Sequence, residues 1–126
     1  MVNRNHNLRI KREVLQLIME SAKDSLPNEF AAILRAKNKL IYEIAIVPGT
    51  VAGERSALFK LYNLPIDHSY VGTAHSHPSG VLIPSDEDLR LFSNFGIIHI
   101  IVGYPFNIES WRAFSKDGKE MNIEVI

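Results

Sequence analysis

Ile10, Val14, Leu17 and Ile18 recur at helical spacing and predict an amphipathic helix from about Arg9 to Asp24, with Met19 and Ala22 flanking the apolar stripe. Lys11, Arg12, Glu13, Glu20 and Lys23 fall largely elsewhere on the wheel, and Pro27 with Asn28 stops the helix. Two apolar runs follow, Glu29 to Arg35 and Leu40 to Val47. The polar connection Ala36-Lys37-Asn38-Lys39 between them reads as a hairpin. Pro48-Gly49-Thr50 breaks the second run, and the mixed segment Ala52 to Leu64 is expected to hold a strand over Ala57 to Tyr62.

Tyr70 to His75 predicts a further strand, and Ser85 to Phe95 a short helix with Leu89, Leu91 and Phe92 facing inward. Ile97 to Val102 is almost wholly apolar, as expected of a central strand covered on both faces. After a turn over Gly103 to Asn107, the alternating run Glu109 to Ser115 should pair antiparallel to it, with Trp111 and Phe114 in the core. The turn Lys116 to Lys119 leads to a terminal strand ending at Ile126. This order predicts an α/β or α+β sandwich, a mixed sheet flanked by helices.

Composition narrows the function. The 126 residues read as one domain, 1–126, and 14 Lys plus Arg balance 14 Asp plus Glu. No global field therefore draws the chain to nucleic acid or an anionic membrane, and neither is expected as a partner. Arg4, Arg9, Lys11 and Arg12 cluster near the start and read as a solvated helix entrance. There is no cysteine, so any bound metal must be held by nitrogen and oxygen. The polar start, Met1 to Leu8, and the lack of any run of ~20 apolar residues lead to the expectation of a cytoplasmic protein.

The chemistry concentrates in His75-Ser76-His77-Pro78, followed by Ser85 and Asp88. On an extended backbone, residues two apart point to the same face roughly 7 Å apart, a spacing from which two imidazoles can reach one zinc. Ser79-Gly80 supports a turn that brings the chain back, and Asp88 would project from the first turn of the next helix as an oxygen ligand. Ser85 with an acid three residues on is also an ordinary helix start, and both roles can hold together. Three protein ligands leave a zinc position open for water, the mark of a catalytic site.

Such a site needs a base that is not itself a ligand. Glu29, Glu43, Glu54, Asp67, Asp86 and Glu87 are candidates, and spacing does not choose among them. Glu29 has the best local argument, since it opens the apolar strand Phe30 to Leu34 directly after a Pro turn.

The run His75-Ser76-His77-Pro78, six residues, Ser85, two residues, Asp88 resembles the motif of the JAMM (MPN+, JAB) metalloproteases at every defining position. Pro27-Asn28-Glu29 resembles the place where that family keeps its catalytic glutamate, and Gly72 also fits. The likeness extends over nearly the whole chain. It implies the cytidine-deaminase-like MPN fold, Zn2+ held by His75, His77 and Asp88, Glu29 as general base and acid, and Ser85 as donor to the oxyanion. Ala32 stands where members often have glycine. Short segments at Pro48 to Ser56 and Gly103 to Ile108 make the chain look like the compact prokaryotic branch, which implies a ubiquitin-like or sulfur-carrier protein as substrate. The alternatives are a metal-free MPN scaffold and a RadC-like, DNA-associated protein. His99 reads as a hydrogen-bonded core residue, His6 and His68 as surface, and Tyr70 as a candidate wall of a substrate groove. The oligomeric state is left open.

Overall fold

The computed structural model describes residues 8–46 and 67–126. The expected strand over 57–62, together with His6 and Glu54, lies outside the described residues. Eight strands form one mixed sheet in the order β7-β6-β5-β4-β2-β3-β1-β8. They are β1 (Arg9–Ile10), β2 (Ala31–Lys37), β3 (Leu40–Ala45), β4 (Tyr70–His77), β5 (Ile98–Gly103), β6 (Trp111–Ser115), β7 (Glu120–Met121) and β8 (Glu124–Val125). The helices are α1 (Arg12–Ser25) and α2 (Asp86–Asn94).

Arg9 and Ile10 are a strand rather than the first turn of a helix. They pair in parallel with Leu40–Ile41 and with Glu124–Val125, so tertiary pairing overrides their helical periodicity. The expected terminal strand is also two short ones. β7 pairs with β6 at one edge of the sheet and β8 with β1 at the other. Only Asn122 and Ile123 separate them, and so short a link spans at most roughly 10 Å. The two edges must therefore approach each other, which curls the sheet.

α1 fills the inside of that curl. Val14, Leu15, Ile18, Met19 and Ala22 are buried against Ile10, Leu34, Ile41, Ile100 and Val102. Leu17, one step off this stripe, is half exposed. Alternate strand residues face the other way, and Ile33, Ile101 and Phe114 form a smaller cluster with Leu91 and Phe92 of α2. Ala32 and Leu34 belong to the α1 side, while Ala31 and Ile33 belong to the α2 side.

The hairpin between β2 and β3 closes through Asn38 and Lys39 alone, both at positive φ, as a two-residue turn of the type favoured between twisted strands. β4 and β5 pair in parallel from Gly72↔Ile98 to His77↔Gly103, and β5 pairs antiparallel with β6 as expected. Gly72 allows that approach, because a Cβ there would stand 1.5 Å from the Ile98 carbonyl oxygen.

Candidate metal centre

β4 runs two residues further than its apolar pattern suggests and carries both histidines within it. His75 and His77 fall on the α2 side with Thr73, while Ser76 between them faces the α1 side. Pro78 and Ser79 follow, and Gly80, at φ 86°, turns the chain back while its N–H donates to the His77 carbonyl at 2.9 Å. That turn delivers the Val81 carbonyl to within 2.7 Å of His77 Nδ1. A carbonyl only accepts, so Nδ1 carries the proton and the Nε2 lone pair is left for a metal.

Ser85 caps α2. Its Oγ accepts the Asp88 N–H at 3.1 Å, and its own N–H donates to Asp88 Oδ2 at 2.9 Å, which completes a capping box. The box fixes the Asp88 rotamer and aims its carboxylate at β4. Asp88 Oδ1 stands 3.1 Å from His75 Nε2, and Oδ2 stands 3.1 Å from His77 Nε2. Asp88, His75 and His77 are all buried, and one donor atom from each lies within 4.8 Å of the others.

This donor set fits a cation. The Nε2 atoms of His75 and His77 both converge on the Asp88 carboxylate, and His75 Nδ1 has no hydrogen-bond partner. Lone pairs crowded together in a buried place repel unless a proton or a metal lies among them. Donor atoms around tetrahedral zinc stand roughly 3.4 Å apart, given bonds of ~2.0–2.2 Å, and here one donor from each residue lies within 4.8 Å of the others. Nitrogen and carboxylate donors with no thiolate suit Zn2+. Burial raises the Asp88 carboxyl, but His75, His77 and the Ser85 N–H outweigh it and hold the group well below the usual carboxylate range.

Glu29 precedes β2 by two residues. Ala31 registers with His75, so continuing the antiparallel register puts Glu29 opposite His77. Strand alternation puts Glu29 on the face of Ala31 and Ile33, the same face as the histidines. A buried contact missed in the sequence sets this alignment: Ser76 Oγ accepts the Phe30 N–H at 2.8 Å, and the Ser76 N–H donates to the Phe30 carbonyl at 2.9 Å. The available signal was a polar residue facing an apolar layer, where an unsatisfied hydroxyl is costly.

Two of the rival carboxylates are engaged elsewhere, and Glu54 lies outside the described residues. Glu43 sits 3.1 Å from Arg35. Asp67, beyond the far end of β4, accepts both the O–H and N–H of Ser69, and these bonds lower its carboxyl. Asp86 and Glu87 lie in the first turn of α2 beside Asp88.

His99 is a core residue as expected, joined to Thr73 Oγ1 at 2.7 Å and stacked on Phe92 at 4.3 Å. Burial, then the charge of His75, pushes it down to about 3. His68 is exposed and Phe114 is buried. Trp111 is half-buried against the larger cluster, and Tyr70 packs on the smaller one. Leu89 corrects the expectation that it faces inward. The buried stripe of α2 is Asp88, Leu91 and Phe92, spaced by three and four, and Leu89 lies off it at 38% exposure.

No helix among the described residues is long and apolar enough to cross a membrane. The family of prokaryotic homologs of the JAB domain matches residues 11–114. A probable metalloprotease of Haloferax volcanii is 34% identical over an alignment of 127 positions, gaps included, that covers 93% of this chain and 78% of that protein. A JAB1/MPN domain protein from Archaeoglobus fulgidus superposes with a TM-score of 0.78 at 38% identity, over 94% of this chain and 99% of that one. A structure described as a JAMM metalloprotease-like zinc site in the proteasome and signalosome gives 0.75 at 36% identity, over 95% and 98%. Motif, fold and sequence agree, and the chain belongs to the JAMM/MPN+ family in its prokaryotic JAB branch.

Proposed function

We propose that this chain is a zinc-dependent protease that hydrolyses peptide or isopeptide bonds at the C-terminal tail of a ubiquitin-like or sulfur-carrier protein. The observation that carries the reading is the Asp88 carboxylate, set 3.1 Å from a nitrogen of each of two buried histidines by its own capping box. The Haloferax volcanii relative, a probable metalloprotease, supports the reaction class. On this reading residues 1–126 form one catalytic domain, working in the cytoplasm.

His75, His77 and Asp88 would hold Zn2+. Bound there, the ion supplies a Lewis acid that polarises the scissile carbonyl and acidifies water. Glu29, on the histidine face but outside the ligand group, takes the proton of the attacking water and returns it to the departing amine. Ser85, placed by its bond from the Asp88 N–H, would donate its O–H to the tetrahedral oxyanion of the substrate. The His77 Nδ1–H bond to Val81 keeps that ring in the ligating tautomer.

The test is incubation of the zinc-loaded protein with tail-fused modifiers and their lysine conjugates, with and without chelator, followed by intact mass. Cleavage after the tail that stops with chelator is expected. Failure to take up stoichiometric zinc, with every modifier left intact, would favour the metal-free scaffold, and tight DNA binding with a steep salt dependence would favour the RadC-like alternative.

A further inference from the structure

Of the basic cluster near the start of the chain, Arg12 is exposed as expected and Arg4 lies outside the described residues. Arg9 and Lys11 are half-buried, and with Lys37, Asn38, Leu40 and Tyr42 they line a pocket of about 370 Å³. That volume lies within the range of small-molecule sites, roughly 300–1,000 Å³. The three cations make no ion pair among the described residues, and no carboxylate lines the pocket. Glu124, whose Cα registers with Arg9, makes no ion pair with it. The chain as a whole is neutral, so this positive field is local.

The pocket is remote from the metal centre. Ala31 registers with His75, and Lys37 is six residues further along β2, roughly 20 Å away at ~3.3 Å per residue. It lies toward the opposite end of the strands and has no part in the chemistry assigned to Glu29 and Asp88. One wall is aromatic: the Arg35 guanidinium stands 5.8 Å from the Tyr42 ring centroid and is itself paired with Glu43.

We propose that this pocket is a second binding site, which takes a small phosphate ester bearing a flat ring, of the nucleoside phosphate class. Arg9, Lys11 and Lys37 meet the phosphoryl oxygens through charge-assisted hydrogen bonds. Tyr42 and Leu40 offer the ring an apolar surface, and the Asn38 carboxamide offers it both a donor and an acceptor. The proposal does not depend on the reaction at the metal centre.

Isothermal titration of the zinc-loaded protein with ADP, inorganic pyrophosphate, adenosine and a short poly-glutamate peptide tests it. ADP should saturate one site well below about 1 mM, more tightly than pyrophosphate or adenosine, and weaken as salt is raised. Lys11→Gln with Lys37→Gln should weaken ADP binding at least about tenfold, the loss expected of two charge-assisted contacts. The exposed pair Lys116→Gln with Lys119→Gln should leave it unchanged, and the thermal midpoint of both variants checks that each is folded. No saturation with ADP, or equal losses in both variants, would overturn the site. Pyrophosphate matching ADP would remove the ring, and poly-glutamate matching ADP would make the pocket an acidic-protein surface; either result overturns the ligand class.

Discussion

The two faces of the sheet divide the work of the molecule. On the α1 side, a helix with no side-chain cap is held by five buried apolar residues, in a cluster that runs from β1 to β6 and is apolar throughout. On the α2 side, a nine-residue helix with a capping box buries Asp88 beside Leu91 and Phe92. That face also carries Thr73, His75, His77 and His99, five of the six buried polar residues in the described structure once Asp88 is included. Burying apolar surface stabilises by roughly 25 cal/mol per Å², whereas burying polar groups costs unless each finds a partner. The α1 face holds the fold, and its stability allows the α2 face to keep lone pairs aimed at one point.

Three variants sharpen that division. The largest effect belongs to Glu29→Gln, which should retain zinc and lose about 10²–10⁴ in cleavage rate, as expected when a general base is removed. Zinc content by atomic emission beside the rate separates this from loss of the centre. Parent-like cleavage by the zinc-loaded variant would end the role given to Glu29.

Next comes Ile18→Ala, fully buried on the α1 face. It should cost about 2–5 kcal/mol in denaturant unfolding while the zinc-loaded, still-folded fraction keeps its zinc affinity. A large drop in that affinity would mean the two faces are not separable.

The last effect concerns pH and is read as a slope. His99 is buried neutral, pushed down to about 3 by burial and the His75 charge. Below the ordinary histidine value of 6.5 the unfolded chain binds a proton that the folded one refuses. Stability is therefore full above pH 6.5 and falls as pH drops toward 3, by up to about 1.4 kcal/mol per unit from this group. Replacing the pair together, Thr73→Val with His99→Phe, should flatten the acid limb by that slope while the metal ligands stay common to both proteins. Unchanged slopes would show that His99 titrates normally.

Much of this was legible in the sequence because the signals were local. His75-x-His77 on a strand, a Gly turn, and Ser85 three before Asp88 each dictate their own geometry, and the capping box and same-face histidines follow from spacing alone. Glu29 was different. Six carboxylates qualified, and only the register Ala31↔His75, which Ser76 helps set from the far face, aligns one of them with the metal ligands. The choice of Glu29 came from the family resemblance, and its role belongs to the proposed function. Arg9–Ile10 and the terminal residues were misread for the same reason: two-residue strands carry almost no pattern, and long-range pairing at the two edges of a curled sheet decides them. Leu89 was a local error of one helical step.

The central claim is that His75, His77 and Asp88 meet on one zinc. Anomalous diffraction from crystals of the protein, measured on both sides of the zinc edge, tests it most directly. A single peak at ~2.0–2.2 Å from a nitrogen of His75, a nitrogen of His77 and an Asp88 oxygen is the result predicted. It should vanish in Asp88→Ala crystals grown with the same zinc. No peak at that place in zinc-soaked wild-type crystals, or an ion that persists without the carboxylate, would contradict the account.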